Sequence, residues 1–280
     1  MSPKFLKHCD TAFGLLCRLL FLVSILLLVG PILITLLMSF DSREYMGVFP
    51  PPSLSLQWYE NFFSNRLYMS SAQNSLVIGV VSASLSTLVG LVTAFAFCRA
   101  NFRGKGALEA LIMSPVVVPG VIIGFSLLLF FSSVGYYDGK LRLILAHVLI
   151  SLPFSLRILY AALQGIPHSL TEAALSLGAN ERQSFADITL PLARSGIISS
   201  FLFSLALSLD EVAVSIFLVD PKTTTLPITL LANMRNQFDL TIAAASGVLI
   251  MFTLVVIFVA DRLVGLNRVV GQGVHEEKNS

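Results

Sequence analysis

Charge is what this sequence has least of: 12% of its 280 residues are Asp, Glu, Lys or Arg, against roughly 25% in a soluble globular domain. So little charge excludes a chain whose surface is mostly wetted. Cysteine is nearly absent as well, and Cys9, Cys17 and Cys98 lack paired or metal-like spacing, so neither a disulfide framework nor a zinc site follows. The four histidines, His8, His147, His168 and His275, are scattered without ligand spacing. No G-x-x-x-x-G-K-[ST] occurs: the pairs Gly104-Lys105 and Gly139-Lys140 have Arg99 and Val134 where the upstream glycine is required. The chain therefore does not bind ATP through that motif, no cofactor or metal is expected in it, and no hydrolytic constellation suggests an enzyme. A net charge of +2 gives no reason to expect a nucleic-acid partner.

What is present is apolar length. Hydrophobic residues make up 55% of the chain and the mean hydropathy is +0.84, carried by uncharged runs near the roughly 20 residues that a helix needs to cross a bilayer. Reading from charge to charge gives six spans: within Leu19–Phe40, Ser75–Cys98 and Ala110–Gly135, then about Leu141–Leu163 and Pro191–Val219, and last within Ile242–Ala260. The first run is longer than a secretory signal's apolar stretch and no A-x-A-like site follows it, so it is expected to be retained. The ten-residue alternation of barrel strands is missing. An all-α integral membrane protein follows, with residues 1–18 and 263–280 as tails and 19–262 as the six-span domain.

Orientation comes from Lys and Arg, which are enriched in cytoplasmic loops. Cytoplasmic termini put twelve of the eighteen inside, the loop of Arg99, Arg103 and Lys105 among them, and leave Arg43, Arg66, Lys140, Arg142, Lys222 and Arg235 outside. Outside, Pro50-Pro51-Pro52 precedes Trp58, Tyr59, Phe62 and Phe63, which predicts a stiff aromatic segment lying at the headgroup level. In the third span Pro115, Pro119, Gly120 and Gly124 predict a bent helix with close neighbours. Ser82, Ser84 and Ser86 in the second span read as a helix-packing cluster, and His147 in the fourth as a packing residue.

Residues 165–191, between the fourth and fifth spans, are too polar and too patterned for a passive connection. Pro167 suits a first helical position, and Leu170, Ala173, Ala174 and Leu177 recur at helical spacing. Gly178 stops that helix, and Asn180 with Gln183 opens a second in the manner of a capping box, with Phe185 and Ile188 as its apolar side. Pro191 is expected to start the next span. The product is a rigid cytoplasmic elbow.

Glu172-Ala173-Ala174, then Gly178, Ile188 and Leu190-Pro191, resembles the EAA signature of permease subunits of bacterial type I ATP-binding-cassette importers. The resemblance covers the chain from the first span to about Leu266. It implies the permease fold of that family, in the bacterial inner membrane, with the elbow as coupling helices docked on a separate ATPase. Carried over, Glu172 is the polar docking contact, Ala173 and Ala174 the close-packing face, Gly178 the turn, and Leu190 and Pro191 the end of the motif. ATP and magnesium would be bound by an ATPase dimer. A second permease, identical or homologous, would complete the pathway, and an extracytoplasmic binding protein would deliver the solute.

A narrower resemblance rests on Ser208-Leu209-Asp210-Glu211, Phe217 and Thr224-Thr225-Leu226-Pro227, which look like the fifth span and outer loop of spermidine/putrescine permeases. Asp210 lies about 24 Å along the span from Arg194, at 1.5 Å per helical residue. A carboxylate so deep is stable only facing water, a cation or a basic partner such as Arg235 or Lys222. It can line the outer pathway for a cationic solute, or pair structurally. The competing reading is an ion-coupled secondary transporter using Asp210, Glu211 and His147, which leaves the elbow unexplained and lacks an evident internal repeat.

Overall fold

The structure is a computed structural model and describes residues 3–45, 47–100, 102–236 and 239–264. Helices dominate the described residues, in chain order α1 (Pro3–Met38), α2 (Gln57–Ser64), α3 (Arg66–Arg99), α4 (Lys105–Val117), α5 (Gly120–Ser133) and α6 (Gly139–Gln164). There follow α7 (His168–Ser176), α8 (Glu181–Ser184), a π-helical turn at Phe185–Thr189, α9 (Leu190–Leu192) and α10 (Arg194–Asp210). The last are α11 (Ser215–Leu218), α12 (Leu226–Asn236) and α13 (Thr241–Val264). Extended pairing among the described residues is confined to two isolated bridges, Asp41 with Leu54 and Asp220 with Thr223.

Three helical stretches are long and apolar enough to cross a membrane singly: Phe13–Met38, Arg66–Arg99 and Gly139–Gln164. Two bent pairs add two more if each counts as one broken span, and Thr241–Val256 is a shorter apolar stretch. The third expected span is the most altered, since α4 and α5 turn by 108° instead of forming one bent helix. Proline is the cause. Val118 is extended at ψ 129° because the ring of Pro119 disfavours α geometry in the residue before it, and Pro119 itself is extended at ψ 134°. The second span is longer than expected: α3 starts at Arg66 rather than near Ser75. The fifth is shorter, because its helix stops at Asp210 and resumes only at Ser215. The tail expected from 263 falls almost wholly outside the described residues.

The chain divides into two compact units. In the one formed by Met1–Asn65 and Met234–Met251, the aromatic segment forms a helix of its own, α2. Trp58 and Phe62 are buried and only Phe63 of the four aromatics is exposed. The Trp58 indole donates to the Asp41 carbonyl at 2.8 Å and the Tyr59 hydroxyl bonds that of Ser39 at 2.8 Å. Helix α2 is amphipathic, and Trp58 on its aromatic face packs within its own unit against Met38, Leu240 and Ala244.

The other unit, Arg66–Asn233 with Phe252–Ser280, is built on α3, α6 and α10. Small residues bring them together. A Cβ on Gly196 of α10 would lie 2.3 Å from the Cβ of Ala162, and one on Gly90 of α3 would lie 3.0 Å from that of Ser155. The seam is hydroxyl-rich: Ser86, Ser155 and Ser204, one from each helix, bond mutually at 2.7, 2.7 and 3.2 Å. Ser82 donates to the Ile144 carbonyl, whereas Ser84 faces outward and bonds back to Val80. Hydroxyls at such seams satisfy one another where lipid offers no partner.

Candidate functional site

The elbow forms between α6 and α10. Pro167 is extended (ψ 129°) and caps α7 instead of starting it, one place earlier than its helix preference suggests. At the other end the Gly178 N–H donates to the Leu175 carbonyl at 3.0 Å and the Ala179 N–H to that of Ala174 at 3.1 Å, the paired bonds of a Schellman motif. Gly178 has φ +92°, a conformation that favours glycine. Asn180 then accepts from the Gln183 N–H at 2.9 Å, and the Gln183 side chain accepts from the Asn180 N–H at 2.8 Å. Both expected caps are thus formed, and the joint is fixed on either side by backbone-directed bonds.

Past the joint, Phe185 packs edge-on against Phe95 of α3 at 4.6 Å. The π-turn prepares for Pro191, which has no N–H and whose ring would press on the carbonyl four residues back. Widening the turn so that the Leu190 N–H bonds Phe185 lets the helix continue through the proline. The break therefore falls at Ala193, where the segments Glu181–Leu192 and Arg194–Asp210 bend by 65°, rather than at Pro191 as the sequence suggested.

The elbow exposes leucines beside its three acids, Glu172, Glu181 and Asp187. Leu177 is 89% exposed, and Leu170, Leu175, Ala173 and Pro191 are exposed as well, with Ala174 half-buried. The Glu172 carboxylate is exposed and pairs with His168 one helical turn earlier, at 3.0 Å. Beneath it Thr171 is buried and accepts from the Arg99 guanidinium at 3.1 Å.

At the far end of α10 the two acids separate in role. Asp210 is the last helical residue and is exposed. Glu211 leaves the helix at ψ 115° and accepts from the Val214 N–H at 2.7 Å, closing the turn into α11. Among the described residues neither forms an ion pair. Non-helical backbone in a membrane protein is tolerated where protein covers it, and α5 supplies part of that cover: a Cβ on Gly124 would lie 2.9 Å from the Val214 carbonyl oxygen. His147 secures the same break, its two ring nitrogens 2.5 Å from the Ser208 hydroxyl and 2.9 Å from that of Ser215. It packs the helices, as read from the sequence.

Sequence reasoning missed the anchor at Asp220. Its carboxylate accepts from the N–H groups of Gly139, Lys222 and Thr223 at 2.7–3.0 Å. Burial alone raises its pKa, but these donors and the nearby Arg142 outweigh that and hold it below the usual carboxylate range. The signal, an acid two residues before a lysine, is too common to have marked it.

A bundle of apolar helices seamed by small residues, interrupted by a capped and exposed elbow, defines a multi-pass membrane transport component. Residues 86–267 match the family model described as the binding-protein-dependent transport system inner membrane component, and the chain belongs to that family. It is 31% identical over 243 residues to the spermidine/putrescine transport system permease protein PotC of Shigella flexneri, covering 87% of this chain and 91% of that protein. To the putrescine transport system permease protein PotI of Escherichia coli K12 it is 30% identical, covering 85% and 87%. Among solved structures, a bacterial ABC transporter involved in import of the acidic polysaccharide alginate matches with a TM-score of 0.70 at 19% identity, covering 93% of this chain and 98% of that one. The MetNI methionine transporter in inward-facing conformations matches at 0.59 and 20%, covering 71% and 95%. These likenesses establish the fold of an ABC importer permease. The chain is accordingly a transport subunit rather than an enzyme, of a class that works with an ATPase and an extracytoplasmic binding protein.

Proposed function

We infer that this chain forms half of an import pathway for a small organic cation of the polyamine class, driven by ATP hydrolysis in partner subunits. The observation that carries the coupling part is the elbow. A water-facing helix pair that exposes Leu170, Leu175 and Leu177 around Glu172 is an interaction surface, not a folding device. Glu172, Ala173, Ala174 and Gly178 are the docking face toward an ATPase dimer that binds ATP and magnesium. Leu190 and Pro191 carry its movement through the π-turn into α10. That helix ends at Asp210, so displacement of the elbow is transmitted along one element to the outer part of the pathway. A second permease, identical or homologous, completes a six-plus-six arrangement, with both termini and the elbow cytoplasmic, as the basic-residue bias supports.

Substrate class rests on Asp210 and on the relatives' polyamine names. An exposed carboxylate at a helix C-terminus sits where the helix dipole is negative, which repels anions and attracts cations. The alginate importer's acidic solute does not count against this, because fold does not fix the site. An ion-coupled carrier is the weaker reading, since His147 is engaged at both ring nitrogens.

The test is uptake of labelled spermidine and putrescine into vesicles holding the permease, its ATPase and its binding protein. Asp210→Asn is expected to lose most uptake while keeping assembly and basal ATP hydrolysis. Glu211→Gln is expected to act mainly on the turn. Normal uptake by both variants, or wild-type uptake indifferent to ATP, overturns the reading.

A further inference from the structure

Between the ends of α3 and α6 and the inner side of α7 lies a cavity of about 300 Å³, distinct from the elbow's outer surface. Its wall includes Arg99, Lys105, Tyr160, Gln164, His168 and Thr171, and it contains neither Asp nor Glu. Both cations are oriented by aromatic rings, Arg99 4.8 Å from the Phe95 ring centre and Lys105 5.7 Å from that of Phe97. Each also makes a single hydrogen bond, Arg99 to Thr171 at 3.1 Å and Lys105 to the Phe97 carbonyl at 2.5 Å. A guanidinium carries five donors and an ammonium three, so most of their donors are unspent. Among the described residues no ion pair involves either.

We propose that this cavity binds a phosphate group, Arg99 and Lys105 neutralising it and Tyr160 and Gln164 completing its hydrogen bonds. A guanidinium and an ammonium on one cavity wall, with no acid among the lining residues, suit a phosphate and no cation. The group is borne by an anionic phospholipid headgroup or is free in solution. Placement at the inner headgroup level rests on the orientation proposed above, where anionic lipid attracts clustered basic residues. The site also reaches the elbow: Arg99 holds Thr171, and His168, on the cavity wall, pairs with Glu172. Occupancy therefore changes the charge felt on the inner face of the docking helix.

The experiment uses the permease with its ATPase in nanodiscs of equal phosphatidylglycerol and phosphatidylcholine, then mass spectrometry of the lipid retained on release. Wild type is expected to retain phosphatidylglycerol, and Arg99→Gln/Lys105→Gln to lower retention about thirtyfold, at five- to sixfold per basic residue. Arg103→Gln removes one positive charge from the same loop outside the cavity, and a built site predicts that it stays within about twofold, whereas a five- to sixfold loss there would mark general surface attraction and overturn the proposal. Thr171→Val frees Arg99 from its tether without removing charge and should also retain lipid, while Arg99→Gln and Lys105→Gln made singly should each lose about five- to sixfold, which keeps the test falsifiable if the double variant folds poorly. In the second arm inorganic phosphate is titrated in lipid-free detergent: thermal stabilisation lost only in Arg99→Gln/Lys105→Gln assigns the site to a free phosphate. Equal behaviour of wild type and Arg99→Gln/Lys105→Gln in both arms overturns the proposal. Neither readout depends on coupling, so an elbow that proves irrelevant to ATP hydrolysis leaves it standing.

Discussion

The seam of α3, α6 and α10 and the elbow invert the arrangement of a soluble protein in opposite ways. The seam buries serine, threonine and histidine and leaves valine and leucine on the outside; the elbow holds its shape with backbone caps and exposes leucine. In lipid, apolar side chains gain little by hiding, so close approach and satisfied hydroxyls hold helices together. In water an exposed leucine awaits another protein surface. Folding information is therefore concentrated at the seam, and the elbow is where we propose that the partner binds.

The largest effect that could break this contrast is a side chain forced into the seam. Gly196→Leu places atoms where Ala162 already sits, and overpacking costs about 1–3 kcal/mol even where the surroundings relax. Its monodisperse yield in detergent and its melting temperature should fall sharply. Leu177→Ala, at an 89% exposed position, should leave both unchanged and weaken capture of the ATPase. A drop in folded yield with Leu177→Ala, or none with Gly196→Leu, would reverse the assignment.

A smaller effect is expected at the joint. Gly178→Val meets no crowding, since no atom lies within 4 Å of an added Cβ, but its φ of +92° disfavours an L-residue by about 1–2 kcal/mol. Insertion should persist while substrate-stimulated ATP hydrolysis falls. Wild-type hydrolysis and transport in this variant would remove the elbow from the coupling path.

The two regions also differ in how well the sequence revealed them. The elbow was legible because its determinants are local: Gly178, the Asn180–Gln183 pair and the helical spacing of Leu170 and Ala174 each act within four residues. The serine cluster was legible in kind, and Ser82 and Ser86 turn inward as expected while Ser84 does not. Hidden from sequence were features fixed by distant partners. The helix end at Asp210 depends on Glu211 capping its own turn, with His147 and Gly124 holding that turn from other helices. The burial of Trp58 depends on the Asp41 carbonyl. The 108° turn at Pro119 was half legible, since proline announces a break without giving its angle.

The finest test separates the seam's two components, size and hydrogen bonding. Ser155 is the hub of the triad, bonded at 2.7 Å to both Ser86 and Ser204 and fully buried. Ser155→Ala removes both bonds but keeps the Cβ that would lie 3.0 Å from a Cβ placed on Gly90, and Ser86 keeps its 3.2 Å bond to Ser204. Polar bonds between membrane helices average about 0.6 kcal/mol and reach about 1.7, because the separated helices also find partners. The variant should therefore lose only a few degrees of melting temperature in detergent and retain full assembly. Ser155→Leu, which loses the same hydroxyl and adds bulk against Gly90, should behave like Gly196→Leu. If Ser155→Ala proves as damaging as Ser155→Leu, hydrogen bonding rather than close approach sets the seam, and the small residues are there to let the hydroxyls meet.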